Sequence, residues 1–446
     1  MSNLRRNRYS ISGNLCRDFQ PSSERRTSPS TSQTVSAYGA SNLRNACYYK
    51  TPYSLYAMDW CKVQGPAQDF IACASFTEET NNKIQVFSLN RSGQGQPFLD
   101  KTHSTVNNLD FPCTKLLWNP SRTTPSEHQF LASSDQKLQL WRVANDAHQN
   151  DAIEGVASFS NAKTNRAAPL TSFDWCKADI SQIVTSSIDT TCTVWDIVTQ
   201  QSKTQLIAHD KEVFDVQFLA NSVDVFASVG ADGSVRMFDL RSLDHSTIIY
   251  EAEPAYVRPA RIYEDYTASA AAPLLRLSAC DVDPNLMATF HHKSSNVLII
   301  DIRAPGQSSM TLQAHTGAVN AVHWLPGSRS RLVSCAEDKQ VLLWELNKAE
   351  SSNSYSHHPR YNSFVKESSI ISTESKTESG SYSASAPVSG TATPATKVIA
   401  SPSASWLADT EVNNVCTSGT GDAFAAVHGR TAQVFFRNDY NSIVQT

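Results

Sequence analysis

Several things are missing from this 446-residue chain, and each absence removes a class of function. No run of about 18 apolar residues occurs, which excludes a helical membrane span. The opening stretch "MSNLRRNRYSISGNLC" has arginines but no apolar segment behind them, so no secretory signal is expected. None of the ten cysteines forms a CxxC pair, which leaves zinc frameworks without support. Without a signal the compartment is expected to be reducing, with free thiols such as Cys192 and Cys335 serving as small core residues. We therefore expect a cytoplasmic and nuclear protein. Strong charge is missing too: a formal net charge of -4 gives no electrostatic case for a nucleic-acid partner. Long helical periodicity is absent, and short β-like runs bounded by turn residues take its place.

Composition divides the chain. Residues 1–44 contain "RRNRYS" and "SSERRTSPSTSQT" and too few apolar residues to offset the entropy of ordering, so they read as a disordered tail. Ser10 and Ser28-Pro29 are its candidate phosphorylation sites. A Ser/Thr-rich, aperiodic segment at 348–405 reads as a disordered insertion. On this reading the chain leaves a strand at Leu346, rejoins one at about Trp406, and tolerates deletion of 352–402. Thr393-Pro394 and Ser401-Pro402 are candidate targets of proline-directed kinases. Residues 438–446 read as a C-terminal tail, and a shorter polar excursion spans 251–272.

What is present is a repeat. The stretch "GADGSVRMFDLR", Gly230 to Arg241, has counterparts along the chain. An Asp is followed six residues later by an aromatic in Asp135/Trp141, Asp189/Trp195, Asp232/Phe238 and Asp338/Trp344. Upstream stand apolar–x–aromatic trios: "LLW" at Trp118, "FDW" at Trp175, "VQF" at Phe218 and "VHW" at Trp324. A first copy has "MDW" at Trp60 and "IQVF" at Phe87, and weaker copies run from Leu274 to Arg303 and from Glu411 to Arg437. The spacings Trp175 to Phe218 and Ala279 to Trp324 fall in the roughly 40–45-residue period of four-stranded propeller blades. The expected fold is all-β, a seven-bladed propeller over 45–437 carrying the insertion. Residues 45–50, "NACYYK", are expected to close the ring by pairing with the last blade, since an open edge needs a partner strand.

With these motifs the sequence resembles the WD40 family, although the dipeptide varies: Trp195-Asp196, Phe238-Asp239, Ile300-Asp301, Trp344-Glu345. The resemblance implies a hydrogen-bonded network in each blade. It maps onto His315, Ser334, Asp338 and Trp344 in the sixth, and onto His209, Ser228 and Asp232 in the fourth, where Phe238 lacks an indole donor. In the third it maps onto Asp189 and Trp195, with Arg166 where the His would stand. "PLTSFDWC", "TSSIDTTCTVWDI", "KTQLIAHDKEVFDV" and "FASVGADGSVRMFDLRSLDHSTIIYE" are similar to the Transparent Testa Glabra/anthocyanin-regulator WD40 group. That group implies protein kinases, transcription regulators or a cullin-four ligase linker as partners, with the chain a monomer inside larger complexes. WD40 adaptors of such ligases have an Asp-x-Arg box, which maps onto Arg241 and Arg303.

The recurring Ser, His and Asp do not make a hydrolase site, because a nucleophile needs one strained turn rather than a copy in several blades. "SGQGQ" and "GTGD" lack the strand–loop–helix context of a phosphate cradle. His291-His292 and His357-His358 lack further ligands at metal-binding spacing. No catalytic residue, cofactor or metal is expected. Two functions remain, a protein-interaction scaffold and a substrate-receptor adaptor of a cullin-four-type ubiquitin ligase.

Overall fold

Alternating apolar residues between tight turns become strands here, and in a computed structural model every regular element among the described residues is a strand. The described residues are 46–63, 69–78, 80–90, 98–99, 104–121, 128–145, 153–160, 168–252, 256–257, 267–268, 271–347 and 396–436. The two tails, Arg166, His357-His358, Thr393-Pro394 and residues 348–395 of the insertion lie outside them. The strands described below belong to one unit comprising Met1–Leu346 and Thr396–Thr446.

Seven sheets, antiparallel but for one added strand, form seven blades. Their inner strands are Leu55–Trp60, Lys115–Trp118, Leu170–Trp175, Val213–Phe218, Leu274–Ala279, Val319–Trp324 and Val412–Thr417. Each inner strand packs on the next, and the seventh packs on the first, so the chain forms a closed propeller. The anchor aromatics recognised in the sequence end these strands, and Trp60, Trp175 and Trp324 are buried. The cores lie between blades: Trp60 and Phe87 of blade one pack with Cys416 and Val434 of blade seven. The cysteines among the described residues are free and buried, filling space as small apolar side chains.

Ring closure follows the expected route. Ala46–Lys50 lies antiparallel to Thr431–Phe436, with Cys47 opposite Val434, and becomes the outer strand of blade seven. A single blade thus contains both ends of the described chain, which removes a free edge.

The insertion ends earlier than the composition implies. Two strands lie within its assigned 348–405 span. Lys397–Ile399 runs parallel to Met310–Gln313 as a fifth strand of blade five. Ala404–Leu407 then pairs with Gln340–Glu345 as the outer strand of blade six. Ile399 and Leu312 share a core with Trp344, and Trp406 meets Phe424 of blade seven edge-on at 4.5 Å. These contacts outweigh the local Ser/Pro composition, so the folded chain resumes at about Thr396 rather than at Trp406. The polar excursion at 251–272 contains a small two-stranded ribbon, Tyr256–Val257 with Thr267–Ala268.

The "GADG" stretch is a turn followed by the third strand of blade four, Ser234–Asp239. Gly233 has φ of 78°, and a Cβ there would stand 2.8 Å from the Ala272 carbonyl. A Cβ on Gly230 would press on the His209 ring at 2.9 Å. Both glycines are required by backbone and packing. Thr190 and Lys339 occupy the position of Gly233 in blades three and six and adopt the same positive φ.

Candidate functional site

Each blade's buried polar groups come first, because they decide which residues are left for partners. In blade six, Trp344 Nε1 donates to Ser334 Oγ at 2.8 Å, Ser334 Oγ lies 2.8 Å from His315 Nε2, and His315 Nδ1 lies 3.0 Å from Asp338 Oδ2. The indole can only donate and the carboxylate can only accept. Nδ1 therefore holds the proton directed at Asp338, and in the neutral ring Ser334 donates to Nε2. Asp338 also accepts the Thr316 and Gln340 amides and so fastens two turns.

Blade four brings His209, Ser228 and Asp232 together, with His209 Nε2 2.7 Å from Ser228 Oγ and Nδ1 3.0 Å from Asp232. Phe238 stacks on Phe226 instead of donating. Ser234 and Arg236, which the repeat pattern did not single out, complete this blade by donating to Asp232 at 2.8 and 3.1 Å. In blade three the two assigned residues are not joined. Asp189 accepts from the Thr191 amide and hydroxyl, while Trp195 Nε1 donates to Thr185 Oγ1 at 3.0 Å. Blade two has the same half-network, Trp141 donating to Ser133 at 2.9 Å.

The Ser–His–Asp order imitates a hydrolytic triad, but Ser334 and Ser228 are each 0% exposed, beyond the reach of a substrate. His291 has both ring nitrogens occupied, by Tyr250 Oη and the Ala272 carbonyl at 3.0 Å each. Gly421 sits in a hairpin turn between Val412–Thr417 and Ala423–His428, with no helix after it.

The Asp-x-Arg residues differ from these because they face solvent. Asp239 accepts from the Arg241 amide, Nε and Nη2 at 3.0, 2.9 and 2.6 Å. Asp301 accepts from the Arg303 amide, Nε and Nη2 at 3.0, 2.8 and 2.6 Å. Each arginine follows the third strand of its blade and precedes the fourth, so it marks a corner rather than the end of a blade. The fork from Arg241 pulls the Asp239 carboxylate down to about 2, and Arg303 lowers Asp301 likewise. The side chains of Arg241 and Arg303 remain 69% and 55% exposed. A guanidinium has five N–H donors in a fixed fork, and each of these is braced on one edge while the rest meets water. Blades three and six place Val198 and Asn347 at the corresponding positions, so the described residues restrict the pair to blades four and five. Asp224 lies 4.0 Å from Arg241, and the Arg329–Asp283 pair at 2.7 Å extends the charged surface toward blade six.

The network binding one blade to the next was missed in the sequence. In four blades the residue before the anchor position accepts the anchor amide of the following blade. Asp59 takes Trp118, Asp174 takes Phe218, Gln217 takes Ala279 and Ser278 takes Trp324, at 2.9, 2.9, 2.7 and 3.2 Å. The available signal was a polar residue beside the aromatic in "MDW", "FDW" and "VQF".

The model of the WD domain, G-beta repeat, matches residues 200–239 and 306–345, which contain the third strands of blades four and six. The chain is 45% identical over 97% of its length to a WD repeat-containing protein of Schizosaccharomyces pombe, covering 99% of that protein. It is 38% identical to a WD repeat-containing protein of Saccharomyces cerevisiae, covering 72% of this chain and 64% of that one. It is 41% identical to the DDB1- and CUL4-associated factor 7 homolog of Dictyostelium discoideum, covering 67% of this chain and 84% of that one.

Proposed function

Because the chain belongs to the WD40 repeat family, we propose that it is a non-enzymatic scaffold that docks regulatory proteins in the cytoplasm and nucleus. The closed ring of packed inner strands, hydrogen-bonded across several blade boundaries, supports this reading most directly. A rigid ring presents loops at fixed positions, and rigid loops lose little entropy when a partner binds. The partners proposed are protein kinases and transcription regulators, as for the Transparent Testa Glabra group that the sequence resembles.

A second reading is favoured by one observation, the braced and exposed Arg241 and Arg303 on adjoining blades. Arginine forks bind carboxylates and carbonyls in a two-pronged geometry that lysine cannot copy. Together with the similarity to the Dictyostelium DDB1- and CUL4-associated factor 7 homolog, this favours a substrate-receptor adaptor of a cullin-four-type ligase, with the two arginines contacting the damage-binding linker protein.

Affinity purification of the full chain from its own cells, followed by mass spectrometry, separates the readings. Kinases or transcription regulators without ligase subunits support the scaffold. Stoichiometric linker and cullin support the adaptor. Recovery of the chain alone, with turnover of model esters or nucleotides, overturns both.

A further inference from the structure

Blade five has one strand more than its repeat requires. Leu274–Ala279, Leu286–His291, Asn296–Asp301 and Met310–Gln313 already make a complete four-stranded blade. The chain next lays down three strands of blade six and leaves it at Leu346. On returning at Thr396 it does not go straight to the outer edge of blade six. It first adds Lys397–Ile399 to the edge of blade five, with Met310 opposite Lys397 and Leu312 opposite Ile399. This is the one parallel pairing among the described residues, and a parallel ladder needs a crossover that a blade's hairpins do not supply. The fifth strand is therefore a segment added to a finished blade from outside its own repeat.

The segment is held mainly through one side chain. Ile399 is 5% exposed and enters the core between the two blades, with Ile299 and Leu312 of blade five and Trp344 and Leu346 of blade six. Val398 is 45% exposed, and Lys397 also faces solvent. The Lys397 amide reaches the Ser309 carbonyl at 3.4 Å, long for such a bond. The Thr396 hydroxyl donates to the Ser308 carbonyl at 3.2 Å, and Lys397 Nζ donates to the Leu346 carbonyl at 3.3 Å. The outer strand of blade six is fastened separately, because Ser403 donates its amide and hydroxyl to the Leu343 carbonyl at 2.7 and 2.9 Å. Lys397–Ile399 can thus leave the edge without taking Ala404–Leu407 with it.

We infer that the rim groove between blades five and six is a docking site for an extended polypeptide segment. The segment adds in parallel to Met310–Gln313 and seats an aliphatic side chain where Ile399 sits. Lys397–Ile399 occupies the site in cis and shows what a partner must bring: two residues of any character facing water, then one isoleucine-like residue facing the core. In strand addition the main chain supplies affinity and the side-chain pocket supplies specificity. A segment with one buried side chain prevails through its tether, at high effective concentration, and yields to a partner strand of the same pattern. The exposed edge left by its departure is the template for that partner.

The test uses the full chain carrying Ile399→Asp, which empties the groove, and a fluorescently labelled acetyl-TKVIAS-amide peptide followed by anisotropy. The controls are the reversed peptide SAIVKT and the peptide TKVDAS, which has aspartate at the seated position. TKVIAS should bind the altered chain at least about tenfold more tightly than the unaltered one, whose tethered strand competes. Both controls should bind the altered chain at least about tenfold more weakly, one for lack of register and one for lack of an apolar side chain. If Ile399→Asp does not fold, Ile399→Ala decides on the same readings. Equal binding of the three peptides by a folded variant, or equal binding of TKVIAS by altered and unaltered chains, overturns the site. Adding Arg241→Glu and Arg303→Glu to the altered chain should leave TKVIAS binding unchanged. Loss of binding there would put the peptide at the Asp-x-Arg corners and overturn the groove.

Discussion

Asp174 of blade three accepts the Phe218 amide of blade four at 2.9 Å, across the boundary between two sheets. The same position does so from blade one to two, four to five and five to six. Donor and acceptor come from one repeated register, the anchor and the residue before it. A repeat that specifies a blade thereby also specifies how blades join. Sheets packed only by apolar faces could slide; a directional hydrogen bond at these four boundaries fixes their rotation.

Burial pushes the Asp174 carboxyl from 3.8 to about 6, against the pull of Lys115 and Lys177. Its folded value lies above the unfolded one, so stability contributed by this group falls as pH rises through that interval. Asp174→Asn keeps an acceptor for Phe218 and discards the buried charge, so at about pH 8 it should match or exceed the parent in denaturant unfolding. Asp174→Ala leaves a buried amide without an acceptor and should lose about 1–3 kcal/mol. Equal damage from both would show that the acceptor is not what matters.

In blade six, His315→Ala strands Asp338 and Ser334, at an expected cost of about 1–3 kcal/mol, and Trp344→Ala empties a core position at about 3–5. Because Ser334 bridges the two side chains, the double variant should lose less than the two singles together. Strict additivity in a thermodynamic cycle would contradict the shared network.

Asp232 and Asp338 behave oppositely to Asp174. Burial pushes each up, but hydrogen bonds from His209 and His315 outweigh it and leave both below the usual carboxylate range. Their stabilisation is complete above the unfolded value near 3.8 and disappears as pH falls through the folded value. Asp232→Asn should therefore flatten the loss of stability between about pH 5 and about pH 2. An unaltered slope would exclude Asp232 as a contributor.

How far these residues were legible depended on whether they repeat. The recurrence of an aromatic six residues after an Asp exposed the turn and third strand of blades two, three, four and six, and the resemblance to the WD40 family then implied the networks around Asp232 and Asp338. The outer strand Ala404–Leu407 was legible only as a strand near Trp406, without its partner, because Gln340–Glu345 lies across a long Ser/Thr-rich span. Lys397–Ile399 was hidden altogether: a three-residue strand has no periodicity, and its parallel pairing exists only once blade five is folded.

Those two strands make a deletion series informative. Removing 348–395 spares every described strand and should shift the melting temperature by no more than a few degrees, since loop length changes closure entropy by only about 0.6 kcal/mol per doubling. Extending the deletion through 407 removes Ile399 and Trp406 from their cores and should destabilise sharply. At the other end, trimming through residue 40 should be silent, whereas trimming through 52 deletes the strand opposite Thr431–Phe436. Equal melting temperatures within either pair would contradict the corresponding strand assignment.

The claim that partners dock on the exposed corners of blades four and five is tested most directly by charge reversal. The measurement is the affinity of Arg241→Glu with Arg303→Glu for the damage-binding linker protein, taken beside the melting temperature of the same sample. Both arginines are exposed and braced mainly by Asp239 and Asp301, so the account predicts lost binding with the melting temperature held within a few degrees. Linker binding at the parental affinity, or unfolding of the double variant, would contradict it.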